Sequence, residues 1–93
     1  MIKVAIAGGA GYTAGELIRI LINPPSVELK YIQSSSHDGE PISSVHSDML
    51  YCPLRFSSID FSDIDVLFIC MGHGSSAKFL AENPVPETVK IID

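Results

Sequence analysis

The stretch Gly8-Gly9-Ala10-Gly11-Tyr12-Thr13-Ala14-Gly15 is where residue types and spacing point first to chemistry. Gly9-x-Gly11-x-x-Ala14 satisfies the pattern G-x-G-x-x-G/A, and Gly8-x-x-Gly11-x-x-Ala14 gives a wider variant. Small residues at this spacing allow a tight turn, let backbone N–H groups approach a pyrophosphate, and let a helix pack closely on a strand. A helix opening at such a turn adds free N–H groups and partial positive charge. The plainer alternative is a glycine-rich strand-to-helix turn without a ligand. A P-loop is excluded, because no Gly-Lys-Ser/Thr follows.

Two further segments belong with the turn. A site for NAD places Asp or Glu at the end of the second strand to hold the ribose 2′-hydroxyl. This chain has Gln33-Ser34-Ser35-Ser36-His37 there. Neutral hydroxyls receive a 2′-phosphate that a carboxylate would repel, so NADP is the expected cofactor. An ordinary polar loop is the alternative, and the only positive charge nearby in sequence is a protonated His37. Met71-Gly72-His73-Gly74 follows another strand, on the edge that lines the ligand crevice of an open parallel sheet. Gly72 would let backbone come close to a cofactor and His73 would help to position it, or His73 merely caps the next helix. Tyr12 would pack over the cofactor or shield the helix start.

Other polar residues read as structural. Cys70 ends a very apolar strand and reads as core, and Cys52 has no basic neighbour in sequence to activate it. Asp60, Asp63 and Asp65 read as a solvated approach to a strand, with Ser62 or Asp63 capping a turn. His37, His46 and His73 lack metal-ligand spacing.

The elements that must position these groups follow from hydrophobic pattern. Ile2 to Ala7 is a short Val/Ile-rich run, a strand buried on both faces as in parallel sheets. From about Thr13, Leu17, Ile18, Leu21 and Ile22 make a helical stripe that Asn23-Pro24-Pro25 ends. Val27 to Gln33 is the second strand, with Val27, Leu29 and Tyr31 alternating onto one face. Ser34 to Ser62 is irregular, with a helical turn expected near Ile42–His46 and a brief strand at Leu54-Arg55-Phe56. Val66 to Cys70 is the strongest strand. A helix from Ser75 or Ser76 to about Glu82, with Ser75 as a candidate N-cap, and a strand over Val89–Ile92 complete the chain. Alternating β and α segments predict an α/β fold, a Rossmann-like doubly wound parallel sheet.

The chain has 93 residues, enough for one domain over 1–93, with six basic and eleven acidic side chains and a net charge of −5. This balance excludes a nucleic-acid footprint and a polybasic membrane anchor. No apolar run is long enough to span a membrane. Two cysteines without an export signal suit reduced thiols in the cytoplasm. Mean hydropathy is +0.30, high for a small domain, which suggests apolar surface made to be covered.

These motifs resemble N-acetyl-gamma-glutamyl-phosphate reductase. Gly8 to Leu17 is similar to that family's Gly-Ala-Thr/Ser-Gly-Tyr-Thr-Gly-Ala-Glu-Leu opening, and Ser34-Ser35-Ser36 falls at its Ser-rich 2′-phosphate loop. Asp65 to Ile69 with His73-Gly74 is similar to its Asp-Val-Val-Phe-Leu-Ala-Leu-Pro-His-Gly segment, and Val89 to Asp93 to its Val-Lys-Val-Ile-Asp strand. The resemblance implies reduction of an acyl phosphate to a semialdehyde with NADPH, in arginine biosynthesis. It implies a cysteine that attacks the acyl phosphate, expels phosphate and forms a thioester reduced by hydride. That cysteine and its histidine belong to a later catalytic domain of the same chain, so these residues alone should be inactive, a piece cut before that domain. The complete enzyme is expected to be a homo-oligomer. Cofactor contacts carry over to Gly8, Ala10, Gly11, Tyr12, Thr13, Ser34, Ser36, Gly72 and His73.

Departures from the pattern are specific. Gly and Ala are exchanged at Ala14-Gly15, Gly72 replaces a usual proline, and Ser36 stands where many members carry arginine. Ser47-Asp48-Met49 does not reproduce the common Pro-His-Leu stretch. The lysine-pathway reductase and aspartate-semialdehyde dehydrogenase are related alternatives, the Gly-Tyr-Thr turn favouring the former of the two. A non-catalytic NAD(P)-binding module is the alternative of a different class.

Overall fold

The structure is a computed structural model that describes residues 1–50 and 52–93, and of His73 the backbone alone. Its elements are β1 (Ile2–Ala7), α1 (Tyr12–Leu21), β2 (Val27–Gln33), β3 (Val66–Ile69), α2 (His73–Glu82) and β4 (Lys90–Ile92). Short 3-10 turns cover Ile42–Ser44 and Phe61–Asp63. All strand pairings are parallel, in the order β2-β1-β3-β4. The expected doubly wound architecture is therefore present. The chain moves from β1 to β2 on one side and returns to β3 on the other, so the strand order reverses between β1 and β3. Ligands of open α/β sheets bind beyond the carboxyl ends of the strands at such a point.

Each face of the sheet has its own core. Val4 and Ile6 of β1 pack with Ala14 and Ile18 of α1 and with Ile42, Met49 and Phe56 of the irregular segment. Ala5 and Ala7 face the other way, with Leu67 and Ile69 of β3, and Phe79 and Leu80 of α2 lie against them. Strict alternation along β1 thus feeds both layers, which is why the strand is apolar throughout.

β2 does not follow the simple alternation expected of it. Register shifts between Val4 and Ala5, which pair with Leu29 and Tyr31 and leave Lys30 as an extra residue. A bulge reverses which side chains face which layer. Leu29 and Ile32 therefore join Ile18 and Phe56, while Tyr31 packs on the opposite face.

The expected strand at Leu54–Phe56 is reduced to isolated bridges, Ile32 with Phe56 and Pro41 with Arg55. Pro41 has no N–H to extend such a ladder. α2 begins at His73, before the expected Ser75, and its N-cap is Gly72 with no side-chain hydrogen bond. β4 starts at Lys90, one residue later than expected. Among the described residues no helix is long and apolar enough to cross a membrane.

The aspartates before β3 do more than face solvent. Asp60, rather than Ser62 or Asp63, caps the second 3-10 turn, accepting from the Ser62 N–H at 3.1 Å. Asp65 accepts from the Lys3 N–H at 2.9 Å, tying the start of β3 to β1. Asp63 pairs with Lys30 and accepts from the Tyr31 hydroxyl at 2.9 Å. The hydrogen bond from Lys30, then that from Tyr31, lowers the Asp63 carboxyl from its ordinary 3.8 to about 2. A lowered folded-state value contributes stability fully above the ordinary value and loses it as pH falls toward about 2. We expect the thermal midpoint to decline below roughly pH 4, and Asp63→Asn to shallow that decline. Unchanged acid sensitivity in D63N, measured by circular dichroism melts, would refute this account.

Candidate cofactor site

The glycine turn joins β1 to α1. Gly8 has φ +80°, and a Cβ there would lie 2.7 Å from the Cys70 carbonyl oxygen and 2.8 Å from Met71 Cγ. Only glycine suits both the left-handed backbone and the close approach of the β3 exit. Its N–H bonds to the Gln33 carbonyl at 3.0 Å and to Gln33 Oε1 at 3.1 Å, while the Gly9 N–H bonds to the Gln33 carbonyl at 2.7 Å. These donors are thus spent on β2.

The next ones are free. The first N–H of α1 with an intrahelical acceptor is that of Gly15, bonded to the Gly11 carbonyl at 3.0 Å. Gly11 is the N-cap and supplies no side-chain bond. Among the described residues, none accepts from the N–H groups of Ala10, Gly11, Tyr12, Thr13 or Ala14. A run of unpaired donors at a helix N-terminus, with the positive end of its dipole, is a ready anion site.

A crevice of ≈ 280 Å³ opens beside these donors. Gly8, Ala10 and Gly11 line it from the turn, Gln33, Ser34 and Ser35 from the end of β2, and Met71, Gly72 and Ser75 from the β3–α2 junction. It therefore lies across the carboxyl ends of β2, β1 and β3, at the reversal of strand order. A neighbouring cavity of ≈ 430 Å³ shares Gln33, Ser35, Met71 and Ser75 and extends to Lys78 and Phe79 on α2.

The structure brings most of the expected residues together. Gly8, Ala10, Gly11, Ser34 and Gly72 share the crevice wall. Tyr12 is 85% exposed and Thr13 lines a separate cavity with Leu17 and Ile92, so neither forms part of the crevice wall. Ser34 is buried, whereas Ser36 is exposed and faces it, with hydroxyl oxygens 3.4 Å apart. The His73 side chain lies outside the described residues. Ser35, Gln33 and Lys78, which were not among the expected cofactor contacts, also line these two cavities. Ser35 was in the serine run, but nothing in the linear pattern brings α2 to the end of β2.

The remaining chemistry-bearing residues stand apart. Cys52 is buried, and burial raises the Cys70 thiol above its ordinary value, with Asp93 adding to the effect. A thiol held protonated is a poor nucleophile. Among the described residues, no group of three or more His, Cys, Asp or Glu is placed to hold a metal.

Residues 3–93 match the family model described as semialdehyde dehydrogenase, NAD binding domain. The chain belongs to this family. Its domain is an NAD(P)-binding one. Curated relatives named N-acetyl-gamma-glutamyl-phosphate reductase match the whole chain, 50% identical in Bacteroides fragilis and 52% in Phocaeicola vulgatus, over 30% of each relative. The relative from Christiangramia forsetii is 47% identical over 29% of its length. The chain thus spans under a third of the relatives it matches, and the resemblance read from the glycine turn and the His-Gly segment leads to the same family.

Proposed function

We propose that this chain is the NADP-binding part of a longer acyl-phosphate reductase that converts N-acetyl-γ-glutamyl phosphate to its semialdehyde. The observation that carries the reading is the match of the entire chain, at about half identity, to reductases of that name. The unpaired N–H groups from Ala10 to Ala14 suit a pyrophosphate, and the glycine turn leaves room for one. When bound, the reduced nicotinamide supplies hydride. The chain's own residues bind and orient: α1 holds the phosphates, Gly8 and Gly72 bring backbone close, and Ser34 and Ser36 sit on the adenosine side. Neither Cys52 nor Cys70 is placed as a nucleophile, so that group belongs to the part of the enzyme outside these residues.

NADP is favoured over NAD by the end of β2. Gln33 stands where a ribose-binding carboxylate would be, and its Oε1 is turned to the Gly8 N–H. Ser34 and Ser35 offer hydroxyls to the crevice, and Lys78 shares the neighbouring cavity with Ser35, bringing a cation within the same concavity. We expect NADPH to bind about tenfold or more tightly than NADH, a difference of ~1.4 kcal/mol or more. Fluorescence titration of the protein measures both. Equal affinities would overturn the NADP assignment, and no binding of either nucleotide would overturn the cofactor reading itself.

A further inference from the structure

His46 comes from the irregular segment, 37 residues from the glycine turn in sequence, yet its ring is inserted beside it. The residue is 7% exposed. Its Nε2 lies 2.8 Å from the Gly9 carbonyl oxygen. A carbonyl only accepts, so Nε2 carries the hydrogen and donates. The other side of the ring rests on α1: a Cβ added at Gly15 would lie 2.7 Å from Nδ1 and 2.8 Å from Cε1. One imidazole therefore touches both ends of the Gly9–Gly15 segment that carries the unpaired donors.

The backbone around His46 is itself held. Its N–H bonds to the Ile42 carbonyl at 3.0 Å, and its own carbonyl accepts from the Met49 N–H at 2.9 Å. Two residues on, Asp48 takes a bidentate pair from Arg19 of α1, at 2.6 and 2.8 Å. The ring is thus fixed relative to α1 by contacts that do not involve the turn.

The consequence follows from peptide geometry. The Gly9 carbonyl and the Ala10 N–H belong to one planar trans unit and point in opposite directions. Holding the carbonyl toward His46 turns the Ala10 N–H away from it, and Ala10 lines the crevice with that donor unpaired. We propose that His46 is a positioning residue that orients the Gly9–Ala10 peptide, and with it the glycine turn, for the cofactor's pyrophosphate. This inference rests on the NAD(P)-binding reading of the crevice. It also accounts for glycine at position 15, where a side chain would displace the ring.

The test compares the protein with His46→Leu and His46→Gln. NADPH binding is followed by fluorescence, and binding of adenosine 2′-monophosphate, which lacks the pyrophosphate, by calorimetry. His46→Leu is expected to weaken NADPH by about tenfold or more, the scale of one hydrogen bond that orders a charge-binding donor. Adenosine 2′-monophosphate should bind it as it binds the parent protein. His46→Gln, which restores an N–H donor, should recover most of the NADPH affinity. Should His46→Leu fail to fold, Gly15→Ala displaces the ring without removing it and should show the same selective loss. Unchanged NADPH affinity, or equal losses for both ligands, would overturn the proposal while leaving the cofactor reading intact. A parent protein that binds no NADPH would overturn both.

Discussion

Gly8→Val is expected to destabilise the domain by about 2–6 kcal/mol, combining positive-φ strain with overpacking. A domain of this size has a total stability of roughly 5–14 kcal/mol, so the variant loses a large share of it. A Cβ at residue 8 runs into the Cys70 carbonyl, which is backbone and held by the Cys70 N–H bond to the Ala7 carbonyl at 2.9 Å. No side chain can simply swing away, and a β-branched residue is especially poor in the left-handed region. Gly11→Ala is the control. Gly11 has φ −79° and open space where a Cβ would go, so the change should cost at most about 1 kcal/mol. Urea denaturation of both variants measures the difference. Comparable losses would show that the turn tolerates a side chain at residue 8. NADPH binding should also disappear in Gly8→Val, because Gly8 forms part of the crevice wall.

Phe56→Ala should cost about 3–5 kcal/mol, the usual range for deleting a buried aromatic ring. Phe56 is 1% exposed and belongs to the α1-side core. It also sits beneath the site: its Cε1 would meet a Cβ at Gly9 at 3.3 Å, and its ring centroid is 5.9 Å from that of His37. Its backbone accepts from the Gly39 N–H and donates to the Glu40 carbonyl, at 2.8 and 2.9 Å. Together with its bridge to Ile32, Phe56 thus helps to tie the loop that follows Ser34–Ser36 to the sheet. Truncation leaves a cavity under both the glycine turn and the serine loop. The expected outcome is a lower denaturation midpoint together with a weakened NADPH affinity in the fraction still folded. Full affinity in a destabilised variant would separate the core from the site and refute the coupling.

Much of this was legible in the residues themselves. β1, α1 and the first turn are local features, set by an apolar run, a helical stripe and small residues at fixed spacing, and they appear where expected. β2 matched in extent but not in facing, because a bulge depends on the partner strand and one extra residue reverses the pattern. The start of α2 moved to His73 because Gly72 serves as cap with backbone alone, which leaves no side-chain signature to read. The aspartates at 60, 63 and 65 looked like a charged approach to a strand. Only the return of β1 and β2 alongside them turned Asp63 and Asp65 into cross-links.

Contiguous residues were enough to define the kind of protein this is: a short βαβ start, a glycine turn between strand and helix, and Gln33 rather than a carboxylate at the end of the second strand. These are contiguous patterns, and the backbone physics behind them needs no distant partner. Tertiary structure alone decided which donors are free, since the Gly8 and Gly9 N–H groups were consumed by Gln33, 25 residues away from Gly8. It alone put Lys78 and Ser35 on the wall of one cavity and His46 against Gly9 and Gly15. Side chains from separate elements meet only once the chain has crossed back over its own sheet, and a linear pattern carries no record of that meeting.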